Sequence, residues 1–361
     1  MVDGALLHDP SVREVPDEVG TFTRPREGNG RATKVRFQER VSLLAVGCTI
    51  AAHYRLWSEC RLAKIDSHLH VWALDDKRFP MPPGRVPNVP GDIDRLLSSM
   101  DEAGVDGALI VQPIFHGFDH GYVNEAIKAH PDRFKGMALI NPQRVDAVDQ
   151  LDHLVTDKGY RGVRFNPAMW VYGVIDHLSL SPAERSDHFK VCPDCQLQHL
   201  NDDAGKAIYE KAGELGVPVG FMVSPTYFDQ VDELLTEFPG TPAIIDHFGG
   251  CKVSDGAPGS NPDFDALLAL AKHPQLRIKV SGFVGPSNEA MPHRDTWPMV
   301  EALLGAFGAE RLMWGTDFPW IQSHGGYVEG TRIIDRIPHI SDGDREWLLG
   351  GAATSLFGDW N

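Results

Sequence analysis

The chain has 361 residues, 42% apolar and 23% charged, a balance typical of a soluble globular protein and enough for one large α/β domain or two ordinary ones. Its 34 basic and 50 acidic side chains leave a formal charge of -16, and a surface that acidic opposes binding to nucleic acid or anionic membrane. No apolar run reaches the roughly 18 residues of a bilayer span, and five cysteines, few and odd in number, suit a reducing compartment better than a disulfide framework.

Residues 1–60 read as an N-terminal extension and 61–361 as one domain. The stretch 1–33 is polar, contains Gly and Pro, has no apolar period and is expected to be disordered. The apolar run 41–52 follows basic Lys34-Val-Arg36 and resembles a signal-peptide core in length, yet it lies far from Met1 behind an acidic start. A helix packed on the domain is the preferred reading, a transit segment its alternative. A cytoplasmic location is therefore the expectation, with organelle import left open.

From residue 64 short β-branched apolar runs alternate with amphipathic segments, the pattern of a parallel α/β fold. Strands are predicted at 64–69, 107–112, 135–140, 161–165, 218–223, 243–246, 277–281 and 311–315. A helix is predicted over 93–103 behind the cap Asp92, and another over 204–215 ending at Gly216. Eight strands at this spacing fit a (β/α)8 barrel better than a doubly wound sheet, because no Gly-rich dinucleotide turn follows the first strand. Helix-to-strand connections are short, whereas long irregular segments follow strands one, four, six and seven. The insert after strand four, 167–202, is long enough for a lid. Such elaboration marks the C-terminal face of a barrel, where a site belongs.

Three stretches carry chemistry. Ile65-Asp66-Ser67-His68-Leu69-His70 sends two imidazoles to one side of the first strand, able to bind a divalent metal or polarise a carbonyl. A lone His-x-His is usually a surface pair; its place at the end of a first barrel strand reverses that. Ile244-Ile-Asp246-His247-Phe-Gly-Gly250 ends an apolar strand in polar groups and glycines, where a ligand can approach closely; a histidine that merely starts a loop is the plain alternative. In Met313-Trp-Gly-Thr-Asp317-Phe-Pro-Trp320 a carboxylate beyond the last strand can ligate metal and take a proton from water, and can also cap a helix.

These three blocks in this order resemble the amidohydrolase superfamily, specifically its amidohydrolase 2 branch of lactonases and metal-dependent decarboxylases. The resemblance covers roughly residues 64–340, supported by Gly162-Val-Arg164-Phe-Asn166 and Ile278-Lys279-Val-Ser-Gly282. It implies that His68 and His70 form the metal or carbonyl corner, that His247 polarises the scissile carbonyl, and that Asp317 activates water. It also implies that Arg164 anchors a substrate carboxylate through its bidentate fork. Lys279 is the weaker anion anchor, because alternation turns it outward. Gln112, Trp72, Trp170, Tyr172 and Trp320 are further substrate-contact candidates, each equally at home as ordinary packing.

The resemblance breaks at strand five, where metal-dependent members place a histidine and this chain reads Phe221-Met-Val-Ser-Pro225. Strand four ends in Arg164-Phe-Asn166 without a metal-bridging lysine or glutamate. The expectation is no metal or one divalent ion, zinc first, on His68, His70 and Asp317. The missing histidine favours hydrolysis of a small carboxylate-bearing lactone, or related C–O or C–N bond, over decarboxylation of an aromatic or unsaturated acid. A barrel kept as a binding module without catalysis is the third reading. His188, Cys192, Cys195 and His199 include a Cys-x-x-Cys, but ligands this tightly spaced strain a tetrahedral zinc site, and a reduced loop is expected. The partner is a small anionic molecule, and a homodimer is the candidate assembly.

Overall fold

The computed structural model describes residues 63–74, 77–81, 87–167 and 199–360. The readings made for residues 1–60, and for Trp170, Tyr172, His188, Cys192 and Cys195, lie outside the described residues. Eight strands follow one another around a parallel barrel: β1 (Ile65–Leu69), β2 (Gly107–Val111), β3 (Phe134–Leu139), β4 (Val163–Phe165), β5 (Val219–Phe221), β6 (Ala243–Ile245), β7 (Leu276–Val280) and β8 (Leu312–Trp314). Among the described residues each pairs only with its sequence neighbours. The end of β1 meets the chain beyond β8 through a parallel bridge between Leu69 and Phe318. Among the described residues seven helices intervene: α1 (Ile93–Ala103), α2 (Gly121–Ala129), α3 (Ala147–Thr156), α4 (Asp203–Glu214), α5 (Phe228–Glu237), α6 (Pro262–Ala269) and α7 (Trp297–Phe307).

The predicted helix over 93–103 forms with those bounds. The Asp92 side chain accepts from Arg95 N, and Gly104 closes the helix at φ 65°, a left-handed conformation that glycine adopts without penalty. Helix α4 starts one residue earlier than predicted, its Asp202 side chain accepting from Gly205 N. Several strands are shorter than predicted, three residues each in β4, β5, β6 and β8, because ladder pairing ends before the apolar run does.

Side-chain alternation divides the core into two layers. Ile65, Leu109, Val111, Met137, Ile244 and Met313 form one buried cluster inside the barrel. The opposite faces of the strands, such as Val163, Phe165, Val219, Phe221, Ile278 and Val280, pack with helix residues such as Leu96, Leu151, Ile208 and Leu234. The chain's C-terminal end plugs the barrel from below, where Ala352, Ala353, Phe357 and Trp360 join the inner cluster. The Trp360 indole donates to Ala108 O at 3.3 Å. Its ring lies so close to Gly107 that a Cβ there would stand 2.3 Å away, so only glycine fits. With the bottom filled, polar side chains gather at the C-terminal rim. Among the described residues, no helix is long and apolar enough to cross a membrane.

Candidate active site

The rim is assembled by hydrogen bonds between the first and last strands. Ser67 Oγ donates to Trp314 O at 2.6 Å, Asp317 N donates to His68 O at 2.8 Å, and His70 N donates to Phe318 O at 2.8 Å. Asp66, fully buried, accepts from Thr316 N at 3.0 Å, Thr316 Oγ1 at 2.5 Å and the Tyr327 hydroxyl at 3.1 Å. Burial still raises the Asp66 carboxyl to about 6, against those donors. The turn that carries Asp317 is therefore bolted to β1. Asp317 Oδ1 consequently lies 3.6 Å from His70 Nε2 and 4.0 Å from His68 Nε2.

His70 has one tautomer available. Its Nδ1 lies 2.9 Å from Val111 O, which can only accept, so Nδ1 carries the hydrogen and Nε2 presents a lone pair. Facing it at 3.3 Å is His68 Nε2. His68 Nδ1 is held between Lys279 Nζ at 3.1 Å and Asp246 Oδ1 at 3.3 Å. A donating ammonium would place the His68 hydrogen on Nε2, whereas donation to Asp246 would leave Nε2 bare. Burial lowers His68 well below the ordinary imidazole range and takes His70 to about 3 and His247 to about 4. All three rings are neutral at neutral pH.

Asp246, at the end of β6, is the hub that sequence reading left without a role. It is 1% exposed, with Lys279 Nζ 3.2 Å from Oδ1 and Arg164 Nε donating to Oδ2 at 3.0 Å. Burial pushes its carboxyl up, but Lys279, His68 and Arg164 together pull it well below the carboxylate range. The signal was in the sequence, since a carboxylate at the tip of an otherwise apolar barrel strand needs a cationic partner.

Lys279 corrects the expectation that alternation turns it outward. Leu276, Ile278 and Val280 occupy the helix-facing layer, so Arg277, Lys279 and Ser281 point into the barrel, and Lys279 is wholly buried. Burial lowers its ammonium, opposed by Asp246. Ser281 Oγ in turn holds His247 Nδ1 at 3.0 Å. His247, Phe248 and Asp317 all have left-handed backbone, φ 51°, 55° and 60°, a strain that clusters at functional sites. Gly282 keeps room for the His247 ring: a Cβ there would lie 2.4 Å from Nδ1.

Above these groups opens a cavity of about 820 Å³ lined by His70, Arg164, His247 and Asp317 at its polar end. His68 is fully buried and does not line the cavity, so the imidazoles that reach a ligand are His70 and His247. Asp317 keeps 20% of its side-chain surface open, enough to touch a water molecule. Burial raises its carboxyl to about 8, partly offset by Arg164. Trp320 lines the wall. Trp72 also borders the cavity but is fully buried, its indole nitrogen donating to Val89 O at 3.0 Å, so it backs the wall. Gln112 is not among the lining residues; its amide nitrogen donates to Gly117 O and Asp119 O at 3.2 and 2.7 Å, fixing the loop after β2. His199, the one described residue of the Cys/His group, is exposed.

A parallel barrel with carboxylate, guanidinium and imidazoles converging at its C-terminal rim is the arrangement of a (β/α)8 barrel enzyme. Within that class the chain belongs to the amidohydrolase superfamily, in its amidohydrolase 2 branch, whose sequence model matches residues 65–358. The chain is 28% identical over 272 residues to a 4-sulfomuconolactone hydrolase of Rhizobium radiobacter, a match spanning 75% of this chain and 79% of the relative. It is 26% identical over 293 residues to a 2-pyrone-4,6-dicarboxylate hydrolase of Comamonas testosteroni, spanning 77% and 83%. A solved structure from Acinetobacter baumannii, described as a probable 2-pyrone-4,6-dicarboxylic acid hydrolase with citric acid bound, shares the fold with TM-score 0.64. It is 24% identical, with 82% of this chain and 100% of that chain covered.

Proposed function

We propose that this enzyme hydrolyses the ring ester of a small carboxylate-bearing lactone, with Asp317 as the base. The observation that carries the reading is a partly open carboxylate on the cavity floor, 3.6 Å from a bare imidazole nitrogen and raised to about 8. A base near the working pH both removes and returns a proton efficiently. The relatives named for lactone hydrolysis support the same reaction class.

Arg164 spends Nε on Asp246, which leaves its two terminal NH2 groups to grip the substrate carboxylate. That contact sets the ring carbonyl against His247. In the tautomer that accepts from Ser281 Oγ at Nδ1, His247 would offer Nε2–H to the oxygen as it becomes negative. A water seated on Asp317 loses its proton there and adds to the carbonyl carbon. Collapse of the tetrahedral adduct breaks the ring C–O bond, and Asp317 returns the proton to the departing oxygen. The product is the ring-opened hydroxy acid.

The ligand atoms of His68, His70 and Asp317 all lie within 4.8 Å of one another. Separations of 3.3, 3.6 and 4.0 Å approach the ~3.3 Å edge of a tetrahedron built on ~2.0 Å zinc–nitrogen bonds. These three residues fit one divalent ion, which when bound would supply Lewis-acid polarisation of the carbonyl. Beyond β5, Met222 and Val223 line the cavity with apolar surface where decarboxylases of this branch need a further ligand. That favours hydrolysis over decarboxylation.

The test is turnover of a panel of lactone carboxylates, followed by acid release, for the parent enzyme and Asp317→Asn. Loss of 10²- to 10⁴-fold in kcat with binding retained is expected; full activity in the variant would remove Asp317 from the chemistry.

A further inference from the structure

The cavity is much larger and much more apolar than a carboxylated lactone ring requires. His70, Arg164, His247 and Asp317 form its reactive end, Ser224, Tyr227, Lys252 and His324 also line it, and the rest of the lining is largely apolar. On the side facing β1, β2 and β8, Phe115 and Trp320 lie with ring centroids 5.8 Å apart, and Trp72 is wedged behind both at 4.7 and 5.3 Å. Trp72 is held by its indole hydrogen bond, and Gly91 allows it to settle: a Cβ there would stand 2.7 Å from the Trp72 ring and 2.8 Å from Pro319. This wall is preorganised. It continues outward through Ile114, which together with Met222 on the opposite lip lines the cavity while leaving 39% of its surface exposed. Ile114 and Met222 thereby add apolar surface at the cavity mouth.

Charge at the floor limits what else can enter. Lys279 is wholly buried against Asp246 without lining the cavity, which leaves Arg164 as the buried cation that reaches a ligand, beside Asp317, which is negative when it acts as the base. One anionic group is thus matched among the described residues; a second would be desolvated against aromatic rings, which is costly. Lys252 also lines the cavity but is exposed, where water screens a pairing.

Resting on the lactonase reading, we infer that the substrate carries one carboxylate near the lactone ring and a bulky apolar substituent, aromatic or branched alkyl. The substituent lies against Phe115 and Trp320 and emerges between Ile114 and Met222. A cavity of about 820 Å³ suits such a molecule, since sites for drug-sized ligands run to roughly 300–1,000 Å³.

The experiment compares 2-pyrone monocarboxylates bearing hydrogen, butyl or phenyl with a 2-pyrone dicarboxylate. The expected result is a kcat/KM that climbs about fourfold per buried methylene, on the order of 100-fold for butyl, with the dicarboxylate poorest. Trp320→Ala should collapse that gradient, and Trp320→Phe should keep most of it. Equal or better turnover of the dicarboxylate would overturn the inference while leaving lactone hydrolysis standing. Should no lactone be hydrolysed, the lactonase reading falls, and calorimetric binding of the same series to Asp317→Asn enzyme still decides the wall. Tighter binding of the phenyl compound supports the inference, and equal binding across the series refutes it.

Discussion

Replacing Lys279 by methionine removes a buried ammonium while nearly keeping its volume, and it tests the hub around Asp246 directly. Nζ lies 3.2 Å from Asp246 Oδ1 with both side chains fully buried. At an effective dielectric of about 20, that separation corresponds to roughly 5 kcal/mol of Coulomb attraction. The desolvation of the ammonium, no longer required, returns part of it. Arg164 also remains 3.0 Å from the other carboxylate oxygen. A loss of about 3 kcal/mol is the expected net, the lower end for breaking a buried pair. For a barrel of this size it corresponds to a fall in Tm of about 6 °C. Scanning calorimetry and denaturant titration read it, alongside kcat, because His68 loses the partner at its Nδ1. The decisive comparison is the double variant Lys279→Met/Asp246→Asn. Each single substitution strands a charge, so the pair together should cost about 2 kcal/mol less than the sum of the singles. A Lys279→Met enzyme as stable as the parent, or strict additivity in the double variant, would refute the hub.

The pH profile of kcat/KM for chelator-treated enzyme should rise through about 8, because Asp317 acts as a base only when deprotonated and burial raises its carboxyl. The neutral imidazoles His70 and His247, lowered to about 3 and 4, should add no limb near 6.5; a rising limb near 4 would contradict the placement of Asp317. Zinc titrated into metal-free enzyme and followed by elemental analysis should saturate at no more than one equivalent, lost in His70→Ala, since the described ligand cluster is three residues. Two equivalents would show a second ligand set beyond the one found among the described residues. Gly282→Ala should lower kcat about 100-fold with the circular dichroism spectrum unchanged, because the added methyl meets the His247 ring at 2.4 Å. Arg164→Lys should raise KM about tenfold or more through loss of the fork; an unchanged KM would place the substrate carboxylate elsewhere.

The barrel was readable from the sequence because its signals are local. Apolar runs such as Ala243–Ile245, glycines such as Gly104 and caps such as Asp92 specify strand, turn and helix within a few residues. His68, His70, His247 and Asp317 were legible for a related reason: each stands where an apolar strand gives way to polar residues, and chain order fixes strand ends onto one rim. What could not be read depends on partners far along the chain. Whether Lys279 faced helices or barrel interior followed from which face of β7 the helices covered, and Asp246 became a hub only once β1, β4 and β7 converged on it. His68 shares a strand end with His70, yet only packing buried it beneath the cavity while leaving His70 exposed to it. For Trp72 and Gln112, read either as substrate contacts or as ordinary packing, the polar hydrogens found backbone carbonyls in loops the sequence could not fold. Local pattern decides where a side chain sits along its strand; its charge state, its tautomer and its access to a ligand are set by atoms that only the closed barrel brings within reach.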